Sequence, residues 1–97
     1  MGWIQSKRYP FTEENVTKAP IEEGVYGIMT SDDKMIYIGQ GKLRNRLTTH
    51  YNNQDPADAC IRKYSPTHYY REVCSNPESR EKELLSTYST YCNKKIG

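Results

Sequence analysis

Two short β-rich runs, Gly24-Val25-Tyr26-Gly27-Ile28-Met29 and Met35-Ile36-Tyr37-Ile38, flank the stretch Thr30-Ser31-Asp32-Asp33-Lys34. Apolar runs of that length around an Asp-rich turn, the second closed by Gly39, make an antiparallel hairpin. The rest of the fold has to be built on this hairpin, because 97 residues hold one small core and no second. A two-residue turn at Ser31-Asp32 predicts Tyr26 directly opposite Tyr37, on one sheet face with Cβ atoms about 5 Å apart.

Beyond Gly39-Gln40-Gly41 the periodicity changes. Leu43, Leu47 and Tyr51 recur every four residues and predict a helix over 43–52, with Arg46 and His50 stacked beside its inward stripe. Asn52 to Pro56 breaks that helix, and Ala57 to Tyr64 reads as a second, ended by Pro66. Thr67 to Cys74 reads as a third strand. Ser75 and Glu78 fit a capping box with Pro77 in the first turn, opening a last helix whose apolar positions are Leu84, Leu85 and Tyr88. Residues 1–23 carry Pro10 and Pro20 and read as an extended lead-in, in which Thr12-Glu13-Glu14-Asn15 can begin a helical turn. The predicted class is α+β: a small three-stranded antiparallel sheet flanked by helices, β-β-α-α-β-α, over residues 24–97.

Charge narrows the partners without choosing one. Fourteen basic and twelve acidic residues leave +2, which permits a nucleic-acid partner where the basic residues cluster. Lys42, Arg44 and Arg46 fall within five positions, with His50 just after. No stretch approaches the roughly 20 apolar residues of a membrane span, and the N-terminus has no signal-peptide core, so a soluble, cytoplasmic chain is expected. Cys60, Cys74 and Cys92 are odd in number and widely spaced. With no close pair to seed a zinc site, three free thiols in a reducing compartment are expected. Nine tyrosines stand against one Phe and one Trp; a Tyr ring can fill a core while its hydroxyl reaches a polar partner.

Glu81 is the local anomaly. It precedes Leu84, Leu85 and Tyr88 at helical spacing, which puts a carboxylate in register with an apolar stripe. An unpaired carboxylate taken from water costs several kcal/mol, so it should be hydrogen-bonded, salt-bridged or bound to a metal. A solvated Glu at the rim of the core is the plainer explanation, and periodicity alone does not separate the two.

In this order the residues become recognisable. Gly24-Val25-Tyr26 followed by Tyr37-Ile38-Gly39 resembles the two tripeptides that name the GIY-YIG nuclease family. That family continues with a helix bearing Arg and, four residues on, His or Tyr, which Arg46 and His50 match. It then has a helix with a Glu backed by apolar residues and an Asn beyond its end, matched by Glu81, Leu84-Leu85, Tyr88 and Asn93. The resemblance spans residues 24–93. It departs in a loop between Gly39 and Arg46 one residue shorter than in the repair incision nucleases, and in Thr90 where a Pro is common. Taken singly, each side chain has a structural explanation: core tyrosines, a helix-terminal His, turn glycines, an Asn cap.

The resemblance implies a DNA endonuclease that hydrolyses phosphodiesters with one divalent cation, Mg²⁺ or Mn²⁺, held by Glu81. Arg46 offers an always-charged planar fork to the non-bridging oxygens. Tyr26 is the first choice for general base and Tyr37 the second, with His50 oriented to assist. Gly39, Gly41, Lys42, Arg44 and Asn93 are candidates for contact with substrate, Asn93 as a brace. The implied partner is DNA, branched or damaged as in repair, with a partner protein to supply target recognition and no membrane. The competing reading is a catalytically silent DNA-binding or interaction module on the same fold.

Overall fold

The computed structural model describes residues 7–93. Along the chain it has β1 (Tyr9–Pro10), α1 (Glu13–Thr17), β2 (Glu23–Met29), β3 (Met35–Lys42), α2 (Leu43–Tyr51), α3 (Asp58–Lys63), β4 (His68–Val73) and α4 (Pro77–Thr87). The sheet is antiparallel in the order β1-β4-β2-β3, so the expected three strands gain the two-residue β1 at the β4 edge. The class is α+β, a small antiparallel sheet with helices. None of the helices among the described residues is long and apolar enough to cross a membrane.

β2 pairs on both sides, and every residue after Glu23 is buried. Alternate residues therefore feed two apolar clusters. Tyr26 and Ile28 face α1 and α2, among Val16, Ala19, Leu43, Leu47, Ile61 and Tyr69. Val25 and Met29 face the other side, with Met35, Ile38 and Leu84 of α4. The start of α2 is tied to the lead-in by Leu43 N–H to Glu22 O (3.0 Å) and Arg44 N–H to Pro20 O (3.0 Å).

The hairpin register differs from the expected one. Tyr26 lies opposite Gly39, and Tyr37 opposite Ile28. The turn is longer than two residues: Thr30 N–H bonds Lys34 O at 2.9 Å, and Asp33 takes a left-handed φ of 67°. A bulge follows, since Ile28 pairs with Tyr37 but Met29 with Met35, leaving Ile36 as the extra residue. The pairing has slipped by two residues, one full side-chain period, so both tyrosines stay on one face, now diagonal with ring centroids 6.3 Å apart.

Two expectations about α4 also change. Asn76, not Ser75, is the N-cap, and it makes no side-chain cap bond, so the capping box does not form. The helix is anchored instead by Arg80, which grips the buried Glu72 of β4 at 2.7 and 3.0 Å and reaches Glu83 at 2.7 Å. Leu84 is fully buried while Leu85 is 36% exposed, because the face that meets the sheet runs through Glu81 and Leu84.

The cysteines are not all free. Cys60 of α3 and Cys92 form a disulfide, with Cα atoms 5.7 Å apart, and only Cys74 is a free thiol. The fold brings α3 against the segment after α4 across a sequence separation of 32, a proximity that spacing alone does not reveal. Reduction by dithiothreitol is expected to remove about 2–4 kcal/mol of stability. Scanning calorimetry should then read a Tm lower by roughly 10 °C or more; an unchanged Tm would contradict the bridge.

Candidate active site

On the face of the sheet that carries Tyr26, a buried polar chain crosses the core. The Tyr26 hydroxyl lies 2.7 Å from His50 Nε2, and His50 Nδ1 lies 2.8 Å from Asp58 Oδ1. All three side chains are essentially shielded from solvent. Helical spacing from Leu43 and Leu47 turns α2 so that His50 comes inward, and α3 presents Asp58 from its first turn. With the Nδ1 proton directed at the Asp58 carboxylate, Nε2 is the nitrogen left to accept from the Tyr26 hydroxyl. The other Asp58 oxygen accepts the Asp55 N–H at 2.8 Å, which holds the loop between α2 and α3.

That loop positions Asp55 against Arg46, whose Nη2 donates to Asp55 Oδ2 at 2.5 Å. Burial acts to raise the Asp55 carboxyl, but the Ala57 N–H, the guanidinium and His50 outweigh it and hold its pKa below the usual carboxylate range. Burial pushes the Tyr26 phenol far above its ordinary value; Tyr37 adds to this, and the neighbouring Arg46 pulls it partly back.

Tyr37 is more open. It lines a cavity of about 380 Å³ with Asp55, Cys60, Cys92 and Asn93. Its ring centroid lies 5.2 Å from that of His50. Burial is the main cause of its raised pKa; Asp55 adds to the rise, Arg46 lowers it, and Glu81 and Asp58 raise it further. Hydrogen bonds join Tyr26, His50, Asp58, Asp55 and Arg46 into one array, and Tyr37 beside it also feels the Glu81 charge.

Glu81 sits on the α4 face that meets the sheet, one turn before the buried Leu84. Burial raises its carboxyl pKa, Glu78 raises it further, and Lys82 offsets only part of this. No hydrogen bond or ion pair to Glu81 is seen among the described residues. A half-buried carboxylate with its charge only partly offset fits a cation site. No group of three or more His, Cys, Asp or Glu among the described residues is arranged to hold a metal ion, so a cation at Glu81 would take one carboxylate and otherwise water or substrate oxygen, as suits Mg²⁺.

The other sequence candidates divide. Gly39 has to be glycine, since a Cβ there would lie 2.4 Å from the Tyr26 hydroxyl and 3.0 Å from the Tyr37 ring. Gly41 has φ +136°, and a Cβ on it would crowd the Arg46 side chain at 3.0 Å. Asn93 clamps β3 beside Tyr37: its Oδ1 accepts from Ile38 N–H and its Nδ2 donates to Ile38 O, both at 2.8 Å. It is not a helix cap, as Tyr88 ends α4. Lys42 is exposed at the start of α2. Arg44 points elsewhere, donating from Nε to Ala19 O at 2.8 Å, and is not part of the locus.

Sequence reasoning missed Asp55 and Asp58. Both look like turn and helix-start acids, which the helix dipole alone would favour. The signal that could have found them is His50 itself, because a His turned inward needs an acceptor on its second nitrogen.

The family described as "Domain of unknown function (DUF7508)" matches residues 4–90. The fold is that of the GIY-YIG N-terminal endonuclease domain of UvrC from Thermotoga maritima. A point mutant bound to its catalytic divalent cation superposes with a TM-score of 0.73 at 27% identity, over 84% of this chain and 93% of that one. The magnesium-bound form gives 0.71 at 28% identity, with the same coverage. The chain is also 35% identical over 51 residues to UvrABC system protein C of Bdellovibrio bacteriovorus, a match covering 52% of this chain and 8% of that protein.

Proposed function

The chain belongs to the family described as "Domain of unknown function (DUF7508)", and we propose that this member is a divalent-metal-dependent DNA endonuclease. The observation that carries the reading is the hydrogen-bonded array of Tyr26, His50, Asp58, Asp55 and Arg46 beside Tyr37, together with a half-buried Glu81 carboxylate that has no hydrogen bond or ion pair among the described residues. Among its solved relatives, the UvrC endonuclease domain of the same fold binds a catalytic divalent cation.

Tyr37 takes the base role in this proposal in place of Tyr26, which stands as the second choice. Tyr26 is buried and hydrogen-bonded to His50, and its phenolate is strongly disfavoured. Tyr37 lines an open cavity within reach of an entering water. Tyr26, His50 and Asp58 form the rigid wall against which Tyr37 is set. Arg46 exchanges its Asp55 partner for the non-bridging oxygens of the scissile phosphate, a bidentate match that lysine lacks. A Mg²⁺ or Mn²⁺ ion held by Glu81 would relieve charge on the phosphoryl group and the leaving oxygen. Asn93 keeps Tyr37 in place by fixing the neighbouring Ile38 backbone.

DNA is the substrate proposed, contacted mostly through phosphates, with strand structure or a partner protein supplying the target. The Arg46–Asp55 ion pair is the feature that favours a silent binding module, since it occupies the guanidinium before any substrate arrives. Arg46→Lys separates the two readings. Nicking of supercoiled plasmid in Mg²⁺ or Mn²⁺ is expected to slow roughly a hundredfold or more, with duplex affinity within a few fold of wild type. A variant as active as wild type would remove Arg46 from the chemistry, and no nicking by wild type in either metal would favour the silent module.

A further inference from the structure

One aromatic feature plays no part in the proposed chemistry. Tyr64, at the end of α3, and Tyr91, beyond α4, lie face to face, with ring centroids 4.5 Å apart and planes within 10°. Tyr91 is nevertheless 46% exposed, among the most exposed large apolar side chains of the described residues. Its backbone is held by its neighbour Cys92, bridged to Cys60 four residues before Tyr64. The disulfide and the ring stack therefore tie the same two segments together, and Tyr91 is presented on a rigid support.

Its surroundings are those of a strand-binding path. Tyr91 also lines a second cavity, of about 300 Å³, with Lys34, Tyr88, Thr90 and Asp33, whose carboxylate is paired with Arg8. On the Tyr64 side, Arg62 and Lys63 are exposed. Cys92, the next residue, lines the cavity that holds Tyr37. A pre-ordered aromatic surface, a lysine in the same cavity and continuity through Cys92 with the cavity of Tyr37 suit one ligand chemistry, an unpaired nucleobase stacked on tyrosine.

We propose that Tyr91, backed by Tyr64, is a stacking subsite for an unpaired base next to the phosphate held at Arg46, so that the preferred substrate carries single-stranded or unpaired nucleotides. This rests on the nuclease reading of the neighbouring site and adds to it the class of DNA bound. Stacking on an aromatic side chain is sequence-tolerant, so the subsite reads strand structure and not sequence.

The test is binding in EDTA, without cleavage, to a short single-stranded oligodeoxynucleotide carrying 2-aminopurine and to its fully paired duplex. Wild type is expected to quench the fluorescent base and to bind the single strand. Tyr91→Phe should retain both properties. Tyr91→Ala should weaken single-strand binding roughly ten- to a hundredfold and abolish the quench, with duplex affinity within about twofold. Unchanged single-strand binding by Tyr91→Ala, or equal weakening on single strand and duplex, would overturn the subsite. Metal-dependent nicking by a wild type that gives no quench would also overturn the subsite alone. Binding of neither DNA by wild type would overturn the nuclease reading with it.

Discussion

Glu81→Gln is expected to reduce plasmid nicking by three orders of magnitude or more while making the domain slightly more stable. The two effects share one cause. The native carboxylate is half-buried, burial and Glu78 raise its pKa, and Lys82 offsets only part of the rise. A raised folded pKa means that the folded state binds the proton more tightly than the unfolded chain does. The group is then most favourable to stability below its unfolded pKa, and stability falls as pH rises through the folded one. At neutral pH the charged form is a penalty that glutamine does not carry. Relief of that penalty should raise Tm slightly. The amide, being neutral, binds Mg²⁺ weakly, so the charge relief for the departing oxygen is lost. A Glu81→Gln protein that is less stable and fully active would show that Glu81 is an ordinary surface residue.

Asp58→Ala is expected to cost about 3–5 kcal/mol, the range for removing one partner of a buried pair. Calorimetry should read a Tm lower by roughly 12 °C or more. The carboxylate is buried and accepts from both His50 Nδ1 and the Asp55 N–H, so truncation leaves one buried and one partly buried donor without an acceptor. The consequence reaches the site by two routes. His50 loses the partner that fixes its tautomer and hence its acceptance of the Tyr26 hydroxyl. The 52–57 loop loses the bond that sets Asp55 against Arg46. Asp58→Asn keeps the shape and one acceptor oxygen and should lose about 1–2 kcal/mol, the range for one unsatisfied buried group. Full activity and unchanged Tm in Asp58→Ala would mean that the chain of hydrogen bonds carries no structural weight.

Much of the fold was legible because it is local. Leu43, Leu47 and Tyr51 predicted α2, the two apolar runs predicted β2 and β3, and the helix breaks at Asn52–Pro56 and Pro66 bounded α3. What depended on tertiary geometry was not legible. The longer turn and the bulge at Ile36 together shifted the hairpin by a full side-chain period, which no propensity signals. The Cys60–Cys92 bridge joins segments that approach only once α3 and the tail after α4 have packed. In the locus, Tyr26, Tyr37, Arg46, His50 and Glu81 were visible as a spaced pattern, but Asp55 and Asp58 were masked by the ordinary presence of acids at turns and helix starts. Arg44 and Arg46 were equivalent as charges. They separate only because α2 points one at the Ala19 carbonyl and the other at Asp55.

The central claim is that one cation, held by Glu81 beside Tyr37 and Arg46, supports phosphodiester cleavage. The most direct measurement is the rate of supercoiled plasmid nicking across a Mn²⁺ titration, for wild type and Glu81→Gln side by side. The account expects wild-type rates that saturate with a Hill slope near one, vanish in EDTA, and are absent from the variant at every concentration. Equal nicking by both proteins, or nicking that persists in EDTA, would contradict it.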